Sequence, residues 1–190
     1  MPTMKILQVT APTSYEILDL PVPAPGPGEL LMRVEAVNTC VQWDLHLRHN
    51  EPMFVGHPYA PGQPGHEAAG YVEAVGPKVG YAPGDRICAW RDQGHSVWGC
   101  YAQFAILQEK NAIRVPEGLP HANWASLELA MCVATAMLDL RDTGAIAGQR
   151  FGVNGLGPAG LALLQLISLN PPRELIGIEI SEERAEAGRR

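Results

Sequence analysis

Gly65-His66-Glu67-Ala68-Ala69-Gly70-Tyr71-Val72-Glu73-Ala74-Val75-Gly76-Pro77-Lys78-Val79 places a histidine and a carboxylate side by side between glycines. An imidazole and a carboxylate are both ligands for a divalent metal, and Gly65 and Gly70 let the backbone that carries them bend. Tyr71, Val72 and Val75 continue the segment as a strand. A lone His-Glu pair says little. The pair at fixed spacing to Gly65, Gly70, Gly76 and Val79 says much more.

Outward from this stretch the chain reads as short strands broken by Gly and Pro, from Met4 to about Val115. Lys5–Val9 and Tyr15–Leu20 alternate at period two, and Glu29–Val37 is a third strand. Pro21, Pro23, Pro25 and Pro27 form a stiff connection with turns at Gly26 and Gly28. Gly84-Asp85 turns into a strand at Arg86-Ile87-Cys88, and Tyr101–Leu107 is a further one. Many short strands at regular spacing predict an irregular barrel. After Pro116 the character changes. Asn123–Leu140 is apolar and Ala-rich, with Leu127, Ala130, Met131, Ala134 and Leu138 at helical spacing. Gln149–Asn154, Gly155–Gly160, Leu161–Leu169 and Glu174–Ile180 then read strand, glycine turn, helix, strand, which is a βαβ unit. The expected fold class is mixed α/β, in three parts: 1–120, a connecting helical segment 121–148, and 149–190.

Gly155-Leu156-Gly157-Pro158-Ala159-Gly160 is G-x-G-x-x-G in the setting that gives this pattern meaning, between a strand and a helix. The first glycine permits the tight turn, and the second lets the backbone approach a pyrophosphate. The helix N-terminus offers N–H groups and a favourable dipole to that anion. Glu179 ends the following strand, where an acidic side chain accepts both ribose hydroxyls and repels a 2′-phosphate. NAD is therefore expected rather than NADP.

A catalytic zinc takes three protein ligands and keeps a fourth position open. His66 is one candidate, and Glu67 is either a ligand or a carboxylate close behind. The Gly65–Val79 run resembles the zinc signature of the medium-chain alcohol dehydrogenase family. Upstream, Cys40-Val41-Gln42-Trp43-Asp44-Leu45-His46 resembles the family segment C-G-T-D-x-H. The resemblance implies that Cys40 is a thiolate ligand, that Asp44 orients His66 through its second ring nitrogen, and that His46 is the outer end of a proton relay. The segment also departs from the family. One extra residue separates Cys40 from Asp44, and Gln42 and Trp43 stand where a relay Ser or Thr is expected. Glu128-Leu129-Ala130-Met131-Cys132 resembles the E-P-L-A-C segment of polyol-type members, which implies Glu128 as the third ligand. Cys132 shares its helical face, but a carboxylate in an apolar helix is costly to bury without a partner, so Glu128 is preferred. Further matches are Pro27-Gly28-Glu29-Leu30-Leu31, Tyr101-Ala102-Gln103-Phe104 and Val115-Pro116-Glu117-Gly118-Leu119-Pro120.

The family implies a GroES-like irregular β-barrel catalytic domain over 1–120, and over 149–190 the start of a Rossmann fold, its first βαβ unit. It also implies one catalytic zinc and NAD as cofactors. Cys88, His95 and Cys100 lack the spacing of a structural zinc site, so none is expected. The expected activity is hydride transfer between NAD and a small-molecule alcohol, with a secondary alcohol, sugar or polyol mildly preferred. Two other readings compete: a zinc-free quinone or enoyl reductase of the same superfamily, and a non-catalytic fragment that binds zinc or nucleotide.

The 190 residues carry a net charge of -6, with 46% hydrophobic and 18% charged residues. No Lys/Arg cluster exists to neutralise a phosphate backbone, which argues against a nucleic-acid partner. No apolar run approaches the roughly 20 residues that span a bilayer. Four scattered cysteines and the absence of a signal-peptide pattern point to a cytoplasmic setting. The second Rossmann helix is cut at Arg190 and only two of its domain's strands are encoded, so a fragment of a longer enzyme is expected, homo-oligomeric in its full-length form.

Overall fold

The computed structural model describes residues 1–49, 51, 56–90, 97–144, 149–169 and 172–190, without the side chain of Arg48. It divides into two compact units, Met1–Glu128 and Leu129–Arg190.

The first unit begins with a hairpin of β1 (Thr3–Ala11) and β2 (Ser14–Pro21). The proline segment then leads into β3 (Glu29–Asn38), followed by the helix α1 (Val41–Arg48), β4 (Glu67–Val75), β5 (Arg86–Ala89), β6 (Phe104–Gln108) and β7 (Ala112–Arg114). The last five strands form an antiparallel sheet in the order β6-β3-β4-β5-β7. Its apolar face encloses Leu30, Met32, Ala68, Val72, Ile87, Ala105 and Leu107. The hairpin joins through an Ile6–Ala102 bridge and a bond from the Leu7 N–H to the Tyr101 carbonyl. This is the open, curled sheet expected of the barrel. The reading of the sequence had placed neither α1 nor β7.

The second unit holds most of α2 (Leu127–Asp142), then β8 (Arg150–Asn154), α3 (Pro158–Ser168), β9 (Glu174–Ile178) and α4 (Glu182–Arg189). β8 and β9 pair in parallel in register from Arg150↔Glu174 to Asn154↔Ile178, with α3 as the crossover. Pro158 starts α3 at a position that has no N–H to lose. The core gathers Met137, Val153, Leu156 and Ile167, with Leu161 and Leu164 packed against it. On α2 the buried apolar residue is Met137, while Leu138 is half exposed. The helical period was right: of the five residues at that spacing, Leu127, Ala130, Met131 and Ala134 are partly buried and Leu138 is exposed. Ile176 and Ile178 of β9 remain exposed.

The β3–β4 ladder carries the quoted stretch. It runs from Leu30↔Val75 to Asn38↔Glu67 with two irregularities, one leaving Glu73 unpaired on β4 and the other Glu35 on β3. Both extra residues reach Arg33: Glu35 in a close ion pair and Glu73 at 3.6 Å. Between the two bulges lies Gly70. Neither Gly65 nor Gly70 has a positive φ, so their glycine identity has a different cause from the bend expected. A Cβ on Gly70 would stand 2.0 Å from the Arg33 carbonyl oxygen, and one on Gly65 would stand 2.6 Å from the Tyr101 nitrogen. Close backbone approach, rather than bending, reserves both positions. Gly70→Ala should therefore lower the unfolding free energy by about 1–3 kcal/mol, as overpacking does, read as a shift in denaturation midpoint. A midpoint unchanged from the parent would refute the steric account.

Candidate metal centre and nucleotide site

Cys40 is the residue that caps α1, immediately after β3. His66 immediately precedes β4 and Glu67 begins it, pairing with Asn38 across the ladder. The two strands thus deliver all three side chains to one end of the sheet. The Cys40 sulfur, a His66 ring nitrogen and a Glu67 carboxylate oxygen lie within 4.8 Å of one another. His66 Nδ1 lies 3.0 Å from the Pro64 carbonyl oxygen. A carbonyl only accepts, so Nδ1 donates and Nε2 is left for a ligand. Nε2 is also the nitrogen nearer Glu67, at 3.9 Å. The Trp43 ring meets the imidazole edge-on at 5.9 Å and fixes its tilt.

Burial is the main force on these groups. It pushes the Cys40 thiol upward, and the charges of Glu67 and Asp44 push it further. Burial raises Glu67 too, with His66 opposing and Glu128 adding to the rise. Asp44 is raised by burial against the hydrogen bond from Tyr101 and the charge of His66. Several acids and a thiol therefore crowd one imidazole, with too little positive charge to hold them ionised. A dication would reverse each of these shifts, and thiolate, imidazole and carboxylate are the donors zinc prefers. The residues fit the metal.

Glu128, in the first turn of α2, is buried at 5% exposure. It lies outside the three-residue group but near enough for its charge to act on Glu67 and Cys88. Glu67, read from sequence as a ligand or a carboxylate close behind, joins Cys40 and His66 because it starts a strand paired to the one that precedes Cys40, and Glu128 stands buried near this group. Cys132 lies one turn further along α2, in the other unit, and is exposed. Cys88 and Cys100 are buried, and burial pushes the Cys88 thiol up to about 11. His95 lies outside the described residues.

Asp44 also differs from expectation. The Pro64 carbonyl, rather than Asp44, holds the second nitrogen of His66. Asp44 accepts a 2.9 Å hydrogen bond from the Tyr101 hydroxyl at Oδ2, and its buried Oδ1 meets no partner among the described residues. A cavity of about 780 Å³ opens beside Asp44 and Tyr101, lined mainly by β1 and β2. His46 projects from α1 and bonds Gln42 and Glu51. Sequence reasoning missed Tyr101, Gln42 and Glu51 as partners. Tyr101 is 57 residues from Asp44 and carried no signal. Gln42 was legible, because residues four apart meet on a helix.

In the second unit the glycine turn takes the form its spacing predicted. Gly155 has φ +87°, open to glycine at little strain. A Cβ on Gly160 would stand 1.9 Å from the Gly155 carbonyl oxygen, whereas one on Gly157 would meet nothing. Gly157 thus leaves its face open for a ligand. Pro158, Ala159 and Gly160 at the start of α3 line a cleft of about 690 Å³ with Cys132, Val133 and Ala136 of α2. Leu156 turns inward to the core. Its N–H donates to Glu179 Oε2 at 2.8 Å, while Glu179 Oε1 accepts from the Ile180 and Ser181 N–H groups and from Arg184. Arg184 is the leading cause that holds the carboxyl at about 2, with the backbone donors adding. Before any ribose arrives, Glu179 already ties the turn to α4.

Residues 26–117 match the alcohol dehydrogenase GroES-like domain family, the class that the curled sheet and its metal-binding end define. The chain is similar to the medium-chain alcohol dehydrogenases. It is 30% identical over 216 aligned residues to an L-threonine 3-dehydrogenase of Thermococcus kodakarensis, covering 98% of this chain and 59% of that protein. It is 27% identical to an alcohol dehydrogenase of Geobacillus stearothermophilus, covering 84% of this chain and 52% of that one. The crystal structure of an alcohol dehydrogenase superfamily protein from Novosphingobium aromaticivorans superposes with a TM-score of 0.81 at 25% identity, over 99% of this chain and 56% of that one. The chain thus spans about half to three-fifths of the length of these relatives. Among the described residues no helix is long and apolar enough to cross a membrane.

Because burial keeps the Cys40 thiol protonated through neutral pH, metal must displace a proton to bind. Zinc affinity should therefore rise with pH across the neutral range, with release of at least about one proton. Calorimetry in buffers of differing ionisation enthalpy measures this. Proton release that is unchanged in Cys40→Ser would remove Cys40 from the site.

Proposed function

We propose that this chain represents the catalytic core of a zinc-dependent alcohol dehydrogenase that transfers hydride between a small-molecule alcohol and NAD. The observation that carries the proposal is the convergence of Cys40, His66 and Glu67 at the end of the β3–β4 pair. These three residues would hold the metal, with Glu128 buried beside them as a further carboxylate. When bound, zinc would act as a Lewis acid on the alcohol oxygen and NAD would accept the hydride.

The protein's own groups do the rest. The Pro64 carbonyl and the Trp43 ring set the His66 plane. Tyr101 anchors Asp44 beneath it. His46, on the outer side of α1, would carry the alcohol proton to solvent. In the nucleotide unit, the open face at Gly157 and the start of α3 would receive a pyrophosphate. Glu179, kept ionised by Arg184 and three backbone donors, would repel a 2′-phosphate, which supports NAD over NADP. Closure of the Cys-His-Glu group weighs against the zinc-free reductase reading, which has no use for it.

Metal analysis and NAD reduction over a panel of primary, secondary and polyol alcohols test the reading, on this chain and on a full-length form. The full-length form should bind zinc and reduce NAD with at least one alcohol. His66→Ala and Glu67→Ala should lose the metal, Glu128→Ala should weaken it by roughly 10–100-fold, and Cys132→Ala should leave it in place. Zinc bound without turnover in either form would favour the non-catalytic reading. Metal lost in Cys132→Ala and retained in Glu67→Ala would overturn the ligand set.

A further inference from the structure

His46 has a carboxylate on one ring nitrogen and an amide on the other. Nδ1 lies 2.6 Å from Glu51 Oε2, and Nε2 lies 2.7 Å from the Gln42 side-chain nitrogen. A carboxylate accepts, so Nδ1 must carry the hydrogen; an amide nitrogen donates, so Nε2 must be the acceptor. The two partners demand the same tautomer. Neither contact is incidental to the backbone. Gln42 precedes His46 by one helical turn. The Glu51 N–H bonds the His46 carbonyl at 3.2 Å, so the reversal that ends α1 also folds the Glu51 carboxylate back onto the ring.

We propose that Glu51 is a positioning residue for His46, holding the ring in its Nδ1–H form and reserving Nε2 as the nitrogen that takes up a proton. The inference rests on the relay role proposed above for His46. It gives Gln42 a meaning as well. The residue that stands in place of a relay hydroxyl donates to Nε2, and its amide must turn away or present its oxygen before Nε2 becomes protonated. Magnitude favours a tautomeric role over a stabilising one. The side chains of His46 and Glu51 are 32% and 44% exposed, where an ion pair adds little to folding. Choosing between two tautomers of one ring needs far less than holding a fold together. A carboxylate that orients a histidine and fixes its proton is also a recurrent device wherever imidazole acts as base or ligand.

The test is long-range proton–nitrogen correlation of the His46 ring in the nitrogen-15-labelled chain without metal, at a pH where the ring is neutral. The parent should show Nδ1 as the protonated nitrogen and Nε2 as the bare one. Glu51→Leu should shrink the ratio of the two tautomers at least about tenfold, a change of about 1.4 kcal/mol. Glu51→Gln, whose amide oxygen still accepts, should restore the parent pattern. His121, whose Nε2 meets the Tyr71 hydroxyl, should stay the same throughout and so reports that the fold is intact. An Nε2–H ring in the parent, or an unchanged ring in Glu51→Leu, overturns the proposal. The readout needs neither zinc nor NAD. A full-length protein inactive on every alcohol would sink the dehydrogenase reading, while the predicted tautomer pattern would still support Glu51 as the residue that sets the ring.

Discussion

Everything at the candidate metal-binding end depends on the antiparallel pairing of β3 with β4. Cys40 follows one strand where His66 and Glu67 enter the other, so a candidate ligand set whose members stand 26 and 27 positions apart in sequence becomes local in space. The strands meet closely enough that Gly70 cannot carry a Cβ, and Tyr101 crowds Gly65 in the same way. Side-chain period along a strand is two, so a slip of one residue would turn a ligand to the opposite face. The chemistry is therefore as precise as the register, and the register is held by backbone contact as much as by apolar burial.

The two units treat carboxylates in opposite ways. Glu179 sits among four donors and is driven strongly acidic by them. Asp44 and Glu67 sit among other acids in a partly dry pocket and are driven the other way. The first is saturated by its own chain, which suits a fixed negative charge that screens ligands by repulsion. The second group lacks positive charge, which suits a site completed by a cation. One side-chain chemistry yields both behaviours because the number of local donors, rather than burial alone, decides which form prevails.

Much of this was legible in the sequence. The glycine turn, the helix after it and the parallel strand beyond were all readable, because each follows from local sequence: Gly155 for the turn, Pro158 at the helix start, and the apolar run Leu175-Ile176 before Glu179. The strands before residue 115 were readable from period-two runs. What failed had a common cause. α1 was hidden because its eight residues mix polar and apolar types without a marked stripe, and the family comparison drew attention to single positions instead. β7 is three residues long, too short for any period. The Tyr101–Asp44 bond joins residues 57 apart, which no local window reports, whereas Glu67 was legible as a ligand candidate beside His66. Glu128 was legible through the resemblance of its segment to the polyol-type pattern and the cost of burying a carboxylate, and the structure does bury it close to Glu67 and Cys88.

The two bulges in the β3–β4 ladder have a consequence for how this hairpin tolerates change. Pairing slips by one residue at Glu73 and slips back at Glu35, so both ends of the ladder keep a common alignment while the three pairs between them sit offset. Arg33 lies in that offset segment and binds both extra glutamates, like a pin through a sliding joint. Loss or gain of one residue in either strand would leave the error uncancelled and send it to the metal-binding end. A matched change in both strands would be silent there. Length variation in this hairpin is thus constrained by parity: single indels are visible to the chemistry, and compensated pairs are not.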